Sequence, residues 1–462
     1  MNEEIAKVRL QEIETRFPIQ DIEVNGKKFW PLLRSLIYAQ LLGGLLRLFP
    51  RSYSRVFRMI VNALFGWPRW LGKYEFVFVS NEMERRKCGD VYIDKLVEGI
   101  IQRVGHNNSL YIEHVKDRHL KAREYGGKKV VSFDLILILA AIYKTIQRPG
   151  HSASINGEQV LKKILSEYNL KSDYREGIDT FLSKVFVLEI AFKVLKPKAV
   201  FITDYGSISV IYAAKKLGIR TIELQHGVIG KVHPYYHPAI RLEEKFCPDY
   251  FLVFGTNDVE ALSHGNYVSA RNIIPIGNYY LNRLGNEPPN KKVLALINGF
   301  EYAICIPTDY VNHDYLLDFI CSVALDLSNC IFIFSPRESK LKNPMREVPE
   351  NVKVIVEFSY QEIIRHCDYN SSTTSTCCIE AISLGAQNIL IDEDGSASLY
   401  FGKVLTDTRV TRFAKSKRDY KEQFASLTRL SRDEVKLGNA QNYADNHDQQ
   451  MQLVLDTLKM IV

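Results

Sequence analysis

The stretch "TIELQHGVIG" (residues 221–230) starts as a buried strand and ends in Gln225, His226 and Gly227, which a buried strand does not favour. An imidazole at a strand end can serve as a general base, or as a donor that stabilises a charged leaving group. The preceding apolar run, "AVFITD" (199–204), ends in Asp204, a carboxylate that falls beside His226 if the two strands are parallel neighbours. Glu223 alternates with Gln225, so it shares that face and is placed to help position a pocket. In the following loop, "VIGKVHPYYHP", Lys231, His233, Tyr235, Tyr236 and His237 crowd together, and Gly227 offers a hinge open to positive φ. The plainer alternatives are a His226 satisfied by a backbone carbonyl and a loop that is merely packed. His233 and His237 make a poor metal pair, because no carboxylate sits at a supporting spacing and Pro234 and Pro238 break any helix. No metal is expected.

A second polar cluster lies in "YNSSTTSTCCIEAISLG" (369–385), where six consecutive Ser or Thr residues (371–376) precede a helix. Free backbone N–H groups at a helix start, flanked by the hydroxyls of Ser371, Ser372, Thr373 and Ser375, suit a phosphate or diphosphate. Ordinary N-capping is the competing explanation, and it needs one hydroxyl. Glu380 lies beyond the first turn and is free to accept from ribose hydroxyls. In "FSPRESK" (334–340), Arg337 and Lys340 follow a strand and add positive charge suited to a diphosphate; a surface ion pair is the alternative for Arg337.

These residues need a scaffold that delivers strand ends to one edge. The alternation of apolar strand and amphipathic helix supplies it: strands over 74–80, 109–115, 199–204, 221–225, 249–255 and 272–278, with helices over 90–104, 178–196 and 208–218. The run "VVSFDLILILAAIYKT" (130–145) is a strand entering a helix or one buried helix. Strand, short helix, strand is a βαβ unit, whose strands run parallel. "NEPPNKK" (286–292) reads as an interdomain linker, after which "KVLALING" (292–299) opens a second alternating region of strands and helices. The expected organisation is a basic N-terminal segment (1–73), a Rossmann-like domain (74–285), a second such domain (286–415) and a helical tail (416–462).

At 462 residues, 46% apolar and 24% charged, the chain is a globular protein too long for a single core. Its net charge of +7 is concentrated: from Gly26 to Tyr74 there are nine basic residues and no acidic one. That segment interleaves arginines with Leu, Ile, Phe and Trp, and its longest charge-free apolar run, Ser35–Leu46, is short of the roughly 20 residues a bilayer span needs. The pattern fits a segment lying on an anionic membrane surface, with Trp30, Trp67 and Trp70 at headgroup depth and arginines facing phosphates. The alternative is a helical subdomain with solvated arginines. Nucleic acid is disfavoured, since the segment is too apolar to track phosphates and no binding motif accompanies it. The eight cysteines contain no CxxC pair and no secretory signal is evident, so they read as reduced thiols of a cytoplasmic protein, peripheral at the inner face of the cell membrane.

In architecture from about residue 74 to 415, and in "ELQHGVI", "FGTND…IIPIGN", "FSPRE" and "NSSTTSTCCIEAISLG", the chain resembles GT-B glycosyltransferases of bacterial surface polysaccharide synthesis, including capsule and lipopolysaccharide enzymes. It is more distantly similar to glycerophosphate polymerases of teichoic acid synthesis. The resemblance implies an α/β fold of two Rossmann-like domains facing a cleft, with no cofactor beyond a nucleotide-sugar donor and no obligatory metal. It implies transfer of a sugar to a hydroxyl of a saccharide or lipid-linked saccharide acceptor, with inversion the favoured outcome. His226, Asp204 and Glu223 take the catalytic side, and Gln225, Gly227, Lys231, Tyr235 and His237 the acceptor. Arg337, Lys340, Ser371, Ser372, Thr373, Ser375 and Glu380 take the nucleotide. Ser335 stands where related loops often carry His. A nucleotide-sugar epimerase, a transferase of glycerol phosphate from a CDP carrier, and a non-enzymatic membrane-docked scaffold are the alternatives.

Overall fold

The computed structural model describes residues 3–42, 53–147, 153–229, 233–308, 313–336, 347–438, 440–444 and 447–461. The chain divides into two compact units, Met1–Val253 with Val259–Ile274 and Leu453–Val462, and Phe254–Asp258 with Pro275–Gln452. The segment 286–292 lies inside the second unit.

The first unit is built on seven strands: β1 (Phe76–Asn81), β2 (Ser109–His114), β3 (Val130–Ser132), β4 (Ala199–Ile202), β5 (Arg220–Leu224), β6 (Tyr250–Val253) and β7 (Ile273–Pro275). Their order across the sheet is β7-β6-β5-β4-β1-β2-β3, and every pairing from β3 to β6 is parallel. All four residues of β4 are buried, as expected of a strand covered on both faces. The order reverses between β1 and β4. Loops diverge at such a switch point and leave room for a ligand beyond the strand ends.

Helices α1 (Glu3–Arg16), α2 (Trp30–Leu41), α3 (Tyr53–Ala63), α4 (Asp134–Gln147), α5 (Tyr174–Leu195) and α6 (Ile208–Lys216) belong to this unit. The 130–145 run resolves into β3 followed by α4, and the Ser132 hydroxyl accepts the Asp134 N–H at the junction (3.1 Å). Half of the basic N-terminal segment departs from the surface role expected for it. Trp30, Leu33 and Ile37 of α2 join the core with Ala6, Leu10 and Ile13 of α1. Arg34 is 2% exposed and pairs with the buried Glu14 (2.5 Å), which also accepts from the Trp30 indole (3.0 Å). Trp70 is buried too, so of the three tryptophans only Trp67 is exposed. Burying an arginine is tolerable only with its counter-charge in place, and Glu14 of the preceding helix supplies it.

The 90–104 stretch also differs from the expected single helix. Arg85–Cys88 and Val91–Asp94 form an antiparallel hairpin, and the helix runs only over Glu98–Val104. Gly89 at the hairpin tip has φ 61°, which glycine adopts without the Cβ penalty.

The second unit repeats the parallel plan with β8 (Tyr302–Pro307), β9 (Cys330–Ser335), β10 (Val352–Val354), β11 (Tyr369–Asn370), β12 (Gln387–Ile391) and β13 (Thr411–Ala414), in the order β10-β9-β8-β11-β12-β13. Its switch point lies between β8 and β11. The expected strand over 292–299 is instead helix α7 (Lys291–Ile297), because the Asn290 side chain accepts the N–H groups of Lys292 and Val293 (3.1 and 3.4 Å). The strand that opens this sheet is β8, an almost wholly buried apolar run.

Candidate active site

The C-terminal edge of the first sheet gathers Glu84 just beyond β1, Asp204 just beyond β4 and His226 just beyond β5. Glu84 owes its place to the hairpin. Asn81 caps the short turn 82–84 by accepting the Met83 N–H (2.9 Å), and the Lys95 N–H bonds the Glu84 carbonyl (3.0 Å) to extend the hairpin ladder. Asp94, at the hairpin's end, is held from two strands. It accepts from Ser80 of β1 (2.6 Å) and Tyr111 of β2 (2.8 Å), while Thr203, after β4, donates to Ser80 (3.0 Å). Burial, reinforced by the nearby Glu84 charge, pushes the Asp94 carboxyl up to about 6 against these hydrogen bonds.

Glu84 itself is 7% exposed and faces Lys95 (3.4 Å). Burial alone would raise its pKa, but Lys95, Arg86 and His226 outweigh that and hold the carboxyl below its ordinary range. Glu84 is therefore an anion whose charge acts on His226. The imidazole of His226 is half-buried, and its Nδ1 is enclosed with no hydrogen-bond partner in the structure. Tyr205 lines the other side, its ring 5.5 Å from that of His226, 5.6 Å from His233 and stacked at 4.0 Å on Tyr235. Burial first, and then the basic groups around it, drive His233 down to about 3, so it is a neutral imidazole with its own Nδ1 enclosed and unpartnered. The site thus offers an anion, a half-buried imidazole, a neutral imidazole and aromatic walls.

The loop carrying Tyr235–His237 is held from the N-terminal helices. Glu14 of α1 accepts the Ala239 N–H (2.8 Å), and Tyr38 of α2 meets Tyr235 edge to face at 5.6 Å. The Nδ1 of His237 is paired with His264 Nε2 (2.8 Å). Gln225 is buried and donates to the Gly227 carbonyl (2.9 Å). Gly227 does not adopt a positive φ, and a Cβ there would meet nothing within 4 Å. Lys231 lies outside the described residues.

Two carboxylates expected beside His226 are engaged elsewhere. Asp204 accepts the Gly206 N–H (2.8 Å) and caps its own turn, although its charge is still felt by His114 and Glu223. Glu223 has no exposure and accepts from Tyr236 (2.9 Å) and Tyr267 (2.5 Å). Its burial pushes the carboxyl up to about 7 against those two hydroxyls, which marks it as a buried anchor of the loop. Glu84 and Tyr205 are the additions. The signal for Glu84 is the Gly89-Asp90 pair between short polar-apolar alternations, a hairpin signature whose second half the expected helix over 90–104 takes in.

In the second unit, the 371–376 hydroxyls are largely spent inside the fold. Ser371 pairs with the Tyr420 hydroxyl (2.6 Å), Ser372 donates to the Pro307 carbonyl (3.1 Å) across the switch point, and Ser375 donates to the Cys377 sulfur (3.0 Å). Ser371 and Ser372 are fully buried, which removes their side chains from direct phosphate contact; Thr373 is 7% exposed. Glu380, in helix α8 (Cys377–Ser383), is buried and accepts from Gln361 (3.0 Å). Beyond β12, Asp392 keeps Oδ2 enclosed without a partner while Oδ1 accepts the Ser398 N–H (3.0 Å). Arg337 and Lys340 lie outside the described residues.

No family model matches the chain, and comparison with curated proteins returns no match. Solved structures do match. The glycotransferase of kitacinnamycin superposes with a TM-score of 0.51 at 11% identity, over 84% of this chain and 99% of that one. A protein assigned as a UDP-N-acetylglucosamine 2-epimerase from Listeria monocytogenes gives a TM-score of 0.50 at 10% identity, over 84% of this chain and 96% of its own. At these identities the likeness is one of fold, and with the two parallel sheets it makes this chain a two-domain, Rossmann-like protein of the GT-B fold.

Proposed function

We propose that the protein is a glycosyltransferase that moves a sugar from a nucleotide sugar to a hydroxyl of a lipid-linked saccharide in bacterial surface polysaccharide synthesis. The observation that carries this reading is His226: an imidazole at the edge where α/β sheets bind ligands, on the same edge as the Glu84 anion and with an enclosed ring nitrogen lacking a partner. In the proposed reaction His226 takes the proton of the acceptor hydroxyl, the oxygen forms a bond to the anomeric carbon, and the bond from that carbon to the nucleoside diphosphate breaks with inversion. Glu84 stabilises the imidazolium as it forms. The second unit binds the donor, with Arg337, Lys340 and Thr373 as the diphosphate contacts; no metal enters the reaction. The fold is also compatible with an epimerase, and the likeness to the Listeria protein keeps that second reading in view.

Thermal unfolding of the purified protein with UDP, GDP, CDP, CMP, dTDP or ADP at millimolar concentration tests the donor side, because a ligand bound only by the folded state raises its apparent stability. A selective rise with one nucleoside diphosphate is expected and fixes the nucleotide; CDP or CMP alone would redirect the reading to glycerol phosphate. No rise with any nucleotide overturns the proposal. Incubation of the matching nucleotide sugar without acceptor then separates the two sugar chemistries, since only an epimerase changes it under those conditions.

A further inference from the structure

Helix α3 leaves its apolar row in solvent. Only its C-terminal end turns into the fold: Asn62 is buried and donates to the Asp134 carboxylate (3.0 Å) and to the Asp117 carbonyl (3.2 Å), with Ala63 buried beside it and Met59 partly buried one turn earlier. Its outward side carries Tyr53, Val56, Phe57, Ile60, Val61 and, one residue past its end, Leu64. These recur at spacings of three and four, the stripe that ordinarily faces a core, yet Tyr53 is 94%, Phe57 67% and Leu64 65% exposed. The next helices continue the pattern. Helix α3 packs on α4 and α4 on α5; α4 exposes Leu139, Ile142 and Ile146, and α5 exposes Phe186, Ile190 and Val194. Scattered exposed apolar residues need no explanation, but outward rows on three neighbouring helices do.

We propose that this face, centred on α3, docks on the surface of an anionic phospholipid bilayer. The apolar row lies at the boundary of headgroups and acyl chains, with Arg55 and Arg58 at phosphate level and Trp67, 50% exposed, at the interface. Charge selects this occupant over a second copy of the chain. A twofold contact centred on α3 would set Arg55 and Arg58 against the same residues of the other copy, and α3 carries no acidic residue to answer them. An anionic surface meets the same residues with the opposite sign. Arg58 already pairs with Asp117 (2.6 Å), but both side chains are well exposed, and such a screened pair exchanges readily for a lipid phosphate. No helix among the described residues is long and apolar enough to cross a membrane, so the attachment is one of lying on the surface. This inference deepens the reading of a lipid-linked acceptor by naming the surface that reaches it.

The test is flotation of the full chain with vesicles, read without any sugar transfer, so that it stands or falls apart from the enzymatic reading. Vesicles of roughly three parts phosphatidylcholine to one of phosphatidylglycerol should carry the wild type upward, and pure phosphatidylcholine vesicles much less. A Phe57→Glu/Ile60→Glu variant, altered only at exposed positions, should keep the wild-type melting temperature and bind the anionic vesicles about tenfold more weakly or worse. Leu139→Glu/Ile142→Glu should give a smaller loss. Failure of the wild type to float, or equal flotation of the α3 variant, overturns the proposal. So does a wild-type dimer in light scattering that the α3 variant dissolves without any vesicle binding, which would assign the face to a second copy.

Discussion

The two sheets share the order of their first six strands, yet the polar clusters at His226 and along 371–376 are in different conditions. At the edge of the first unit, His226 and His233 each keep an enclosed ring nitrogen with no partner, beside the Glu84 anion. Along 371–376 of the second, the hydroxyls of Ser371, Ser372 and Ser375 are all bonded within the fold, to Tyr420, Pro307 and Cys377. Buried polar groups nearly always find partners, so those left without one are where a ligand has most to offer. Ser371 and Ser372, in a run that looks like a phosphate cradle in one dimension, instead fix strand ends to their neighbours.

The sharpest way to test this contrast is at His226. His226→Ala should lower turnover by about 10²–10⁴-fold, the range for a positioned acid–base group, without moving the melting temperature. Glu84→Gln should cost about tenfold at least, and more than Asp204→Asn, because Asp204 is committed to its own turn. If the Asp204 variant suffers more, the assignment of the partner carboxylate to Glu84 is wrong.

Ser371→Ala probes the other side. Loss of its bond to Tyr420 should cost about 1 kcal/mol of stability while the nucleotide-induced rise in melting temperature stays as in the wild type. The reverse pattern, unchanged stability with a lost nucleotide response, would return the serine run to the phosphate.

The smallest effect is expected at Glu223, and it depends on pH. The folded protein holds this carboxyl at about 7 against an ordinary 4.5, so it binds the proton more tightly than the unfolded chain. Its favourable contribution is full below the ordinary value and is lost as pH rises through about 7. Denaturant midpoints of wild type and Glu223→Gln, measured across that window, should diverge, with the wild type losing ground as pH rises. Parallel curves would mean that Glu223 is ionised in the folded state and free to face the first unit's site.

Much of the scaffold was legible because buried parallel strands write themselves as short apolar runs. The strands ending at Asp204 and His226 are both present and adjacent, as β4 and β5. Misreadings came where an apolar run was short and its boundary was set by one side chain, as at Asn290, whose cap turns 291–297 into a helix. Glu84 was invisible for a different reason. It is brought to the site by a hairpin whose position depends on Asp94 meeting Ser80 and Tyr111, contacts from separate strands that no local pattern encodes.

By itself, the sequence determined the periodicities, and through them the two parallel sheets and the edge on which His226 stands, since strand period and chain order are local properties. It also marked the basic apolar segment. Which parts of that segment are buried was decided only in the tertiary structure: Arg34 finds Glu14 and goes inside, while α3 is turned by the Asn62 bonds so that its apolar row faces out. The same holds for the carboxylates, because Asp204, Glu223 and Glu84 have similar chemistry and differ in the neighbours that packing gives them: a backbone N–H, two tyrosine hydroxyls, and the Lys95 ammonium.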